Sequence, residues 1–175
     1  MALGRQRERQ PEILVSWAEL PRSPGQRNAV LDRLAIDYTQ LFHAHADRIS
    51  RYEGLQTKES DRLMGAAAQS VRHFLAQSGF VVLAEGGELP DHISVELAFM
   101  SELARREAEA AEASDRATAE QAASLQRRFL AEHLGRWAGR FADAVRGAVT
   151  TPFHRGMATL LGDFVAAEQA DLAPA

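Results

Sequence analysis

Apolar residues recur along this chain at helical spacing, in stripes separated by short polar breaks, and no segment sustains the alternation of a strand. Ser23, Pro24 and Gln26 carry a helix-start signal, after which Val30, Leu31, Leu34, Tyr38, Leu41 and Phe42 form a stripe expected to end near His45. Leu63, Met64, Ala67, Val71, Phe74 and Leu75 predict a helix over 61–78, which Gly79 closes. Pro90 restricts the residue before it and Asp91 is placed to cap a helix on which Ile93, Leu97 and Met100 recur, continuing through Leu103 into the polar helix formers 105–112. Ser114 and Asp115 restart a helix carrying Ala122, Leu125, Phe129, Leu130, His133, Leu134, Trp137 and Phe141. Thr151 with Pro152 opens the last one, whose stripe is Phe153, Met157, Leu160, Leu161 and Phe164. A short helix over 13–20, ended by Pro21, has Ser16 and Glu19 at capping-box spacing.

Between these patterns, residues 46–60 show no period, contain Gly54, and read as a connecting loop of a length that is often functional. The run Phe80–Leu83 is too short to separate a strand from a buried connector, and with no second segment to pair with it reads as a connector. The expectation is an all-α protein, one compact helical domain of about six helices over 13–170, behind a loose charged tail at 1–12. No repeat of solenoid period is visible.

Composition narrows the function. The chain of 175 residues is 46% hydrophobic, enough for a continuous core. Its 20 basic and 24 acidic residues leave a net charge of -4, which gives no electrostatic reason for nucleic-acid binding. The absence of cysteine excludes disulfides, thiolate metal sites and cysteine nucleophiles. No apolar run approaches the roughly 20 residues that span a bilayer, and no apolar segment follows the first arginines as in an export signal, so the cytoplasm is the expected compartment. The histidines at 43, 45, 73, 92, 133 and 154 fall into no HExxH or paired Glu-x-x-His pattern, and phosphate-binding and nucleophile-elbow motifs are missing. No metal, no cofactor and no catalysis are expected.

The residues whose chemistry looks wasteful for a plain core are Tyr38, Phe42, Tyr52, Glu53, Asp91, His92 and Glu96. His92 and Glu96 lie one turn apart at a helix start, where the positive end of the helix dipole acts. Aromatics near carboxylates suit an arginine-bearing peptide, because a guanidinium pairs with a carboxylate while stacking on a ring. Each also has a plainer reading. Tyr38 and Phe42 fit a core stripe, Asp91 a simple cap, and Glu53 a solvated loop residue. Two other functions stay open: a helical enzyme or cofactor carrier using His92 and Glu96 as acid and base, and a helical dimerisation module.

Read in order, Asp37-Tyr38-Thr39-Gln40-Leu41-Phe42, Tyr52-Glu53, Leu63-Met64, Val71-Arg72-His73-Phe74, Ser78-Gly79-Phe80, Leu89-Pro90-Asp91-His92-Ile93 and Val95-Glu96-Leu97-Ala98-Phe99-Met100 resemble the TorD/DmsD family of molybdoenzyme maturation chaperones. Phe129-Leu130-Ala131-Glu132-His133-Leu134, Trp137, Phe141, Thr151-Pro152-Phe153-His154 and Leu160-Leu161 are similar to the family's closing helices. The resemblance implies an all-α cytoplasmic protein without catalysis. It implies as partners a twin-arginine signal peptide and the apo form of an oxidoreductase of the dimethyl-sulfoxide-reductase type, held until its molybdopterin is loaded. It also implies that Asp91 and His92 form the polar centre of the peptide site, with Tyr52 and Glu53 from the facing loop, and it leaves room for a homodimer.

Overall fold

The computed structural model describes residues 23–43, 48–58, 63–82 and 87–171, and among these every regular element is a helix. In chain order they are α1 (Pro24–Phe42), α2 (Glu53–Gln56), α3 (Ala66–Gln77), α4 (Ile93–Glu112), α5 (Arg116–Phe129), a π-helical turn (Leu130–Leu134), α6 (Gly135–Ala148) and α7 (Pro152–Asp171). Because α5, the π turn and α6 are continuous, the described residues form six helices of an all-α protein, as the stripes predict. The expected helix at 13–20, the tail before it, Leu83 at the end of the connector and the last four residues lie outside the described residues. Contacts divide the chain into two compact units, one reaching Ser50 and resuming over Gly139–Ala167, the other comprising Arg51–Ala138 and the chain from Glu168.

In the first unit, α1 opens as its sequence dictates. Ser23 Oγ accepts the Gln26 N–H (3.3 Å), Gln26 Oε1 accepts the Ser23 N–H (3.2 Å), and Pro24 occupies the first turn, where no N–H is needed. The helix stops at Phe42, earlier than expected. Its buried face also differs from the predicted stripe: Asp37 and Leu41 are buried, Val30, Leu34 and Phe42 half-buried, and Leu31 is 61% exposed along with Tyr38. The reason is Asp37. Its carboxylate accepts the N–H groups of Thr150 and Thr151 (both 3.0 Å), both hydroxyls, and His154 Nδ1 (3.1 Å), fixing α1 against the turn between α6 and α7. With Asp37 turned inward, the buried line becomes Val30, Leu34, Asp37 and Leu41, and Leu31 and Tyr38 rotate outward. On α7, Gly156, Ala158 and Val165 are buried while Met157 and Leu160 are exposed, so that stripe too lies one position away from the expected one.

In the second unit, α3 begins at Ala66 and not at 61, because Met64 adopts a left-handed backbone (φ 63°) and Gly65 caps the helix. Leu63 and Met64 therefore stay exposed instead of joining the core. Gly79, at φ 80°, closes α3 in the left-handed conformation that glycine adopts without strain. Val71, Phe74 and Leu75 pack in a core with Phe99, Met100 and Leu103 of α4 and Phe129 at the end of α5. Edge-to-face ring contacts join Phe74, Phe99 and Phe129, with centroids 4.7 to 6.0 Å apart. Asp115 accepts from the Thr118 N–H (3.1 Å) and hydroxyl (2.7 Å), starting α5 where the sequence places it. Leu125 and Leu97 are only half-buried, whereas Glu96 takes a fully buried position on α4. Phe80, Val81 and Val82 form no strand.

Candidate functional site

Two short segments of the second unit meet and set the site. The Ile93 N–H donates to the Arg51 carbonyl and the Glu53 N–H to the Asp91 carbonyl, each at 2.9 Å, making a single antiparallel bridge between Tyr52 and His92. Part of the predicted 46–60 loop is thus ordered: Tyr52 is paired and Glu53 starts α2.

Asp91 does not cap its own helix. Its Oδ2 accepts the Gly54 N–H (3.2 Å), closing the first turn of α2 from across the bridge. The cap of α4 is His92, whose Nδ1 accepts from the Ser94 N–H (3.2 Å) and the Ser94 hydroxyl (2.7 Å). A ring nitrogen that accepts twice leaves the proton on Nε2. That Nε2 is buried without a hydrogen-bond partner, 3.6 Å from Glu88 Oε2. Burial pushes the His92 pKa down, against the raising effect of Glu88, which favours this neutral ring.

Glu53 and Glu96 are both 0% exposed. Glu53 is therefore no solvated loop residue. Its Oε2 meets His133 Nδ1 at 3.0 Å, while Oε1 has no hydrogen bond and lies 3.7 Å from Arg136 Nη1. Glu96 Oε2 accepts the Trp137 indole N–H (3.2 Å), and its Oε1 has no partner. Burial first, then the charges of Glu53 and Asp91, raise the Glu96 pKa well above the usual carboxylate range, and burial raises Asp91 as well. At the rim, the Tyr52 hydroxyl donates to Glu88 Oε2 (3.3 Å) and its ring stands edge-on to His92 at 5.0 Å.

His133 and Trp137 reach these carboxylates from the π turn and α6. In the π turn the Gly135 N–H reaches back to the Leu130 carbonyl, an i to i+5 bond that inserts one residue into the helix. Glycine is required there: a Cβ on Gly135 would stand 2.5 Å from the Leu130 oxygen and 2.8 Å from Gln169 Nε2. The His133 ring rests on the aromatic cluster, 5.2 Å from Phe129 and 5.7 Å from Phe74, so the core fixes the group that holds Glu53.

Among the described residues, four buried polar atoms lack hydrogen-bond partners: Glu53 Oε1, Asp91 Oδ1 and Glu96 Oε1, which are acceptors, and the His92 Nε2–H donor. Buried polar groups are nearly always satisfied, so four orphans in one place single it out as the candidate site. The three carboxylate oxygens suit a cationic group bearing several donors, whereas the His92 N–H calls for an acceptor such as a backbone carbonyl. No set of three or more metal-ligating side chains occurs among the described residues. Of the residues singled out in the sequence, Tyr52, Glu53, Asp91, His92 and Glu96 come together here. Tyr38 and Phe42 belong to the first unit, where their rings contact each other (5.1 Å) and Phe42 stacks on Phe141 (6.3 Å). Sequence reasoning missed the parts played by His133, Trp137 and Glu88; a histidine inside an otherwise apolar buried stripe was the available signal for the first.

Helices that bring buried carboxylates and a histidine together, with no metal-ligating cluster among the described residues, define the class as an all-α protein with a buried polar site. Residues 7–143 match the family model of the nitrate reductase delta subunit, and the chain belongs to that family. This is a family of redox-enzyme maturation chaperones, related to TorD/DmsD, that serve molybdoenzymes and are not themselves catalysts. No curated protein and no solved structure matched the chain. No helix among the described residues is long and apolar enough to cross a membrane.

Proposed function

We propose that the chain is a cytoplasmic maturation chaperone that grips a twin-arginine signal peptide, and through it the apo form, of a molybdopterin-dependent oxidoreductase of the dimethyl-sulfoxide-reductase type, delaying export until the cofactor is inserted. The observation that carries this reading is the set of three unpartnered buried carboxylate oxygens, on Glu53, Asp91 and Glu96. A guanidinium has five N–H donors in a planar fork and satisfies two carboxylates at once, whereas an ammonium offers a point charge without the fork. Tyr52 supplies an aromatic face beside it, and Glu88 a further carboxylate at the rim. The site proposed lies wholly in the second unit and does not draw on Tyr38 or Phe42.

The test is fluorescence anisotropy with a labelled twin-arginine peptide. Saturable binding that weakens at least tenfold when Arg-Arg becomes Lys-Lys, or when Glu53 is changed to Gln, is the expected result, about 1.4 kcal/mol or more per change. Equal affinity for both peptides, or no binding by folded protein, contradicts it.

A further inference from the structure

Glu96 is placed where the free protein gives a negative charge almost no support. Its carboxyl lies wholly out of solvent, and among the described residues Oε1 is unpartnered and the Trp137 indole N–H is its sole hydrogen-bond donor. The charged groups that face it are Glu53 from α2 and Asp91 from the turn before α4, both carboxylates. Of the nearby basic groups, His133 Nδ1 bonds Glu53 Oε2, and Arg136, which donates to the Glu132 carbonyl, approaches Glu53 Oε1 at 3.7 Å. A buried carboxyl with a single donor and carboxyl neighbours favours its neutral form.

We propose that the free protein stores a proton on the Glu96 carboxyl and exchanges it for the cationic group of the segment it binds. This rests on the peptide reading above and adds its pH regulation. When the guanidinium enters, the Glu96 O–H bond breaks, the proton leaves to water, and the carboxylate left behind pairs with the guest. The net charge of the site is the same before and after, so a cation enters a low-dielectric site without adding charge to it. Burial, which raises the Glu96 pKa, supports the stored proton. By linkage, affinity should fall about tenfold per pH unit below the pH at which Glu96 of the free protein ionises.

The indole N–H of Trp137 reports directly on its Glu96 acceptor. In a Trp17→Phe background, which leaves Trp137 as the only tryptophan, its 15N–1H signal is followed against pH in the free protein and again with a saturating Arg-Arg peptide. A titration above the ordinary glutamate range, absent in Glu96→Gln and moved at least one pH unit lower by peptide, supports the exchange. Calorimetry below that midpoint, in two buffers of different ionisation enthalpy, should show one proton released per peptide bound by the wild type and none by Glu96→Gln. An indole signal indifferent to Glu96 overturns the proposal. So does peptide bound with equal heat in both buffers, which removes the exchange and leaves the peptide reading standing. A titrating site that takes no peptide overturns both.

Discussion

Asp37 and Glu96 are carboxylates of nearly equal burial, 1% and 0% exposed, whose surroundings drive them in opposite directions. Burial raises both, but at Asp37 the hydrogen bonds from Thr151, Thr150 and His154 outweigh it and hold the carboxyl far below its ordinary value. Glu96 has one such bond and two neighbouring carboxylates, and its value rises. The consequences for stability follow by linkage. Asp37 contributes stability that is present above the ordinary aspartate pKa of 3.8 and lost as pH falls below it. Glu96 binds its proton more tightly folded than unfolded, so its contribution is full below the ordinary glutamate value of 4.5 and is lost as pH rises toward its folded-state value. Thermal melts should therefore show Asp37→Ala losing about 3 kcal/mol at neutral pH, and less in acid. Glu96→Gln should melt with a flatter alkaline limb than the wild type; an unchanged limb would mean that Glu96 is ionised in the fold. Glu96 stood out in the sequence as chemistry wasteful for a core, one turn from His92, whereas Asp37 did not, because a carboxylate inside a helical stripe reads as an interruption of the apolar face. Here it is the buried member of that face.

At the scale of the element, most helices were legible because caps and stripes agreed: Ser23 with Pro24, Asp115, and Gly79 all act where their residue types place them. Asp91 was misread because the partner it caps, α2, is distant in sequence and comes to it only through the bridge between Tyr52 and His92. The π turn was invisible for a different reason. One inserted residue shifts the phase of a stripe without breaking it, so Phe129, Leu130, His133, Leu134 and Trp137 still read as one apolar side. Gly135 marks the place where that insertion needs room. Gly135→Ala gains helix propensity of about 1 kcal/mol, yet its Cβ meets the Leu130 carbonyl, and we expect the clash to win with a net loss of about 1–3 kcal/mol in urea denaturation. A stabilised variant would show that the turn relaxes to regular α-helix at no cost. Because the π turn presents His133 to Glu53, the same substitution should weaken peptide binding.

For the molecule as a whole, the all-α class was readable from periodicity, and the absence of a strand at Phe80–Val82 from the lack of any second segment to pair with it. The division into two units was not, since it follows from contacts between segments far apart in the chain and divides α6 and α7 between the units. A chain of net charge -4 has a mild general attraction for a basic segment, but that attraction selects neither arginine over lysine nor one surface over another. Selectivity has to come from the site of orphaned acceptors. The most direct test is a double-mutant cycle by calorimetry, crossing wild-type and Asp91→Ala/His92→Ala protein with Arg-Arg and Lys-Lys peptides. If the arginine pair is gripped at this site, the two changes are coupled by about 1.5 kcal/mol or more, the loss from one largely cancelling the loss from the other. Effects that add to within about 0.5 kcal/mol would place the arginines elsewhere and contradict the account.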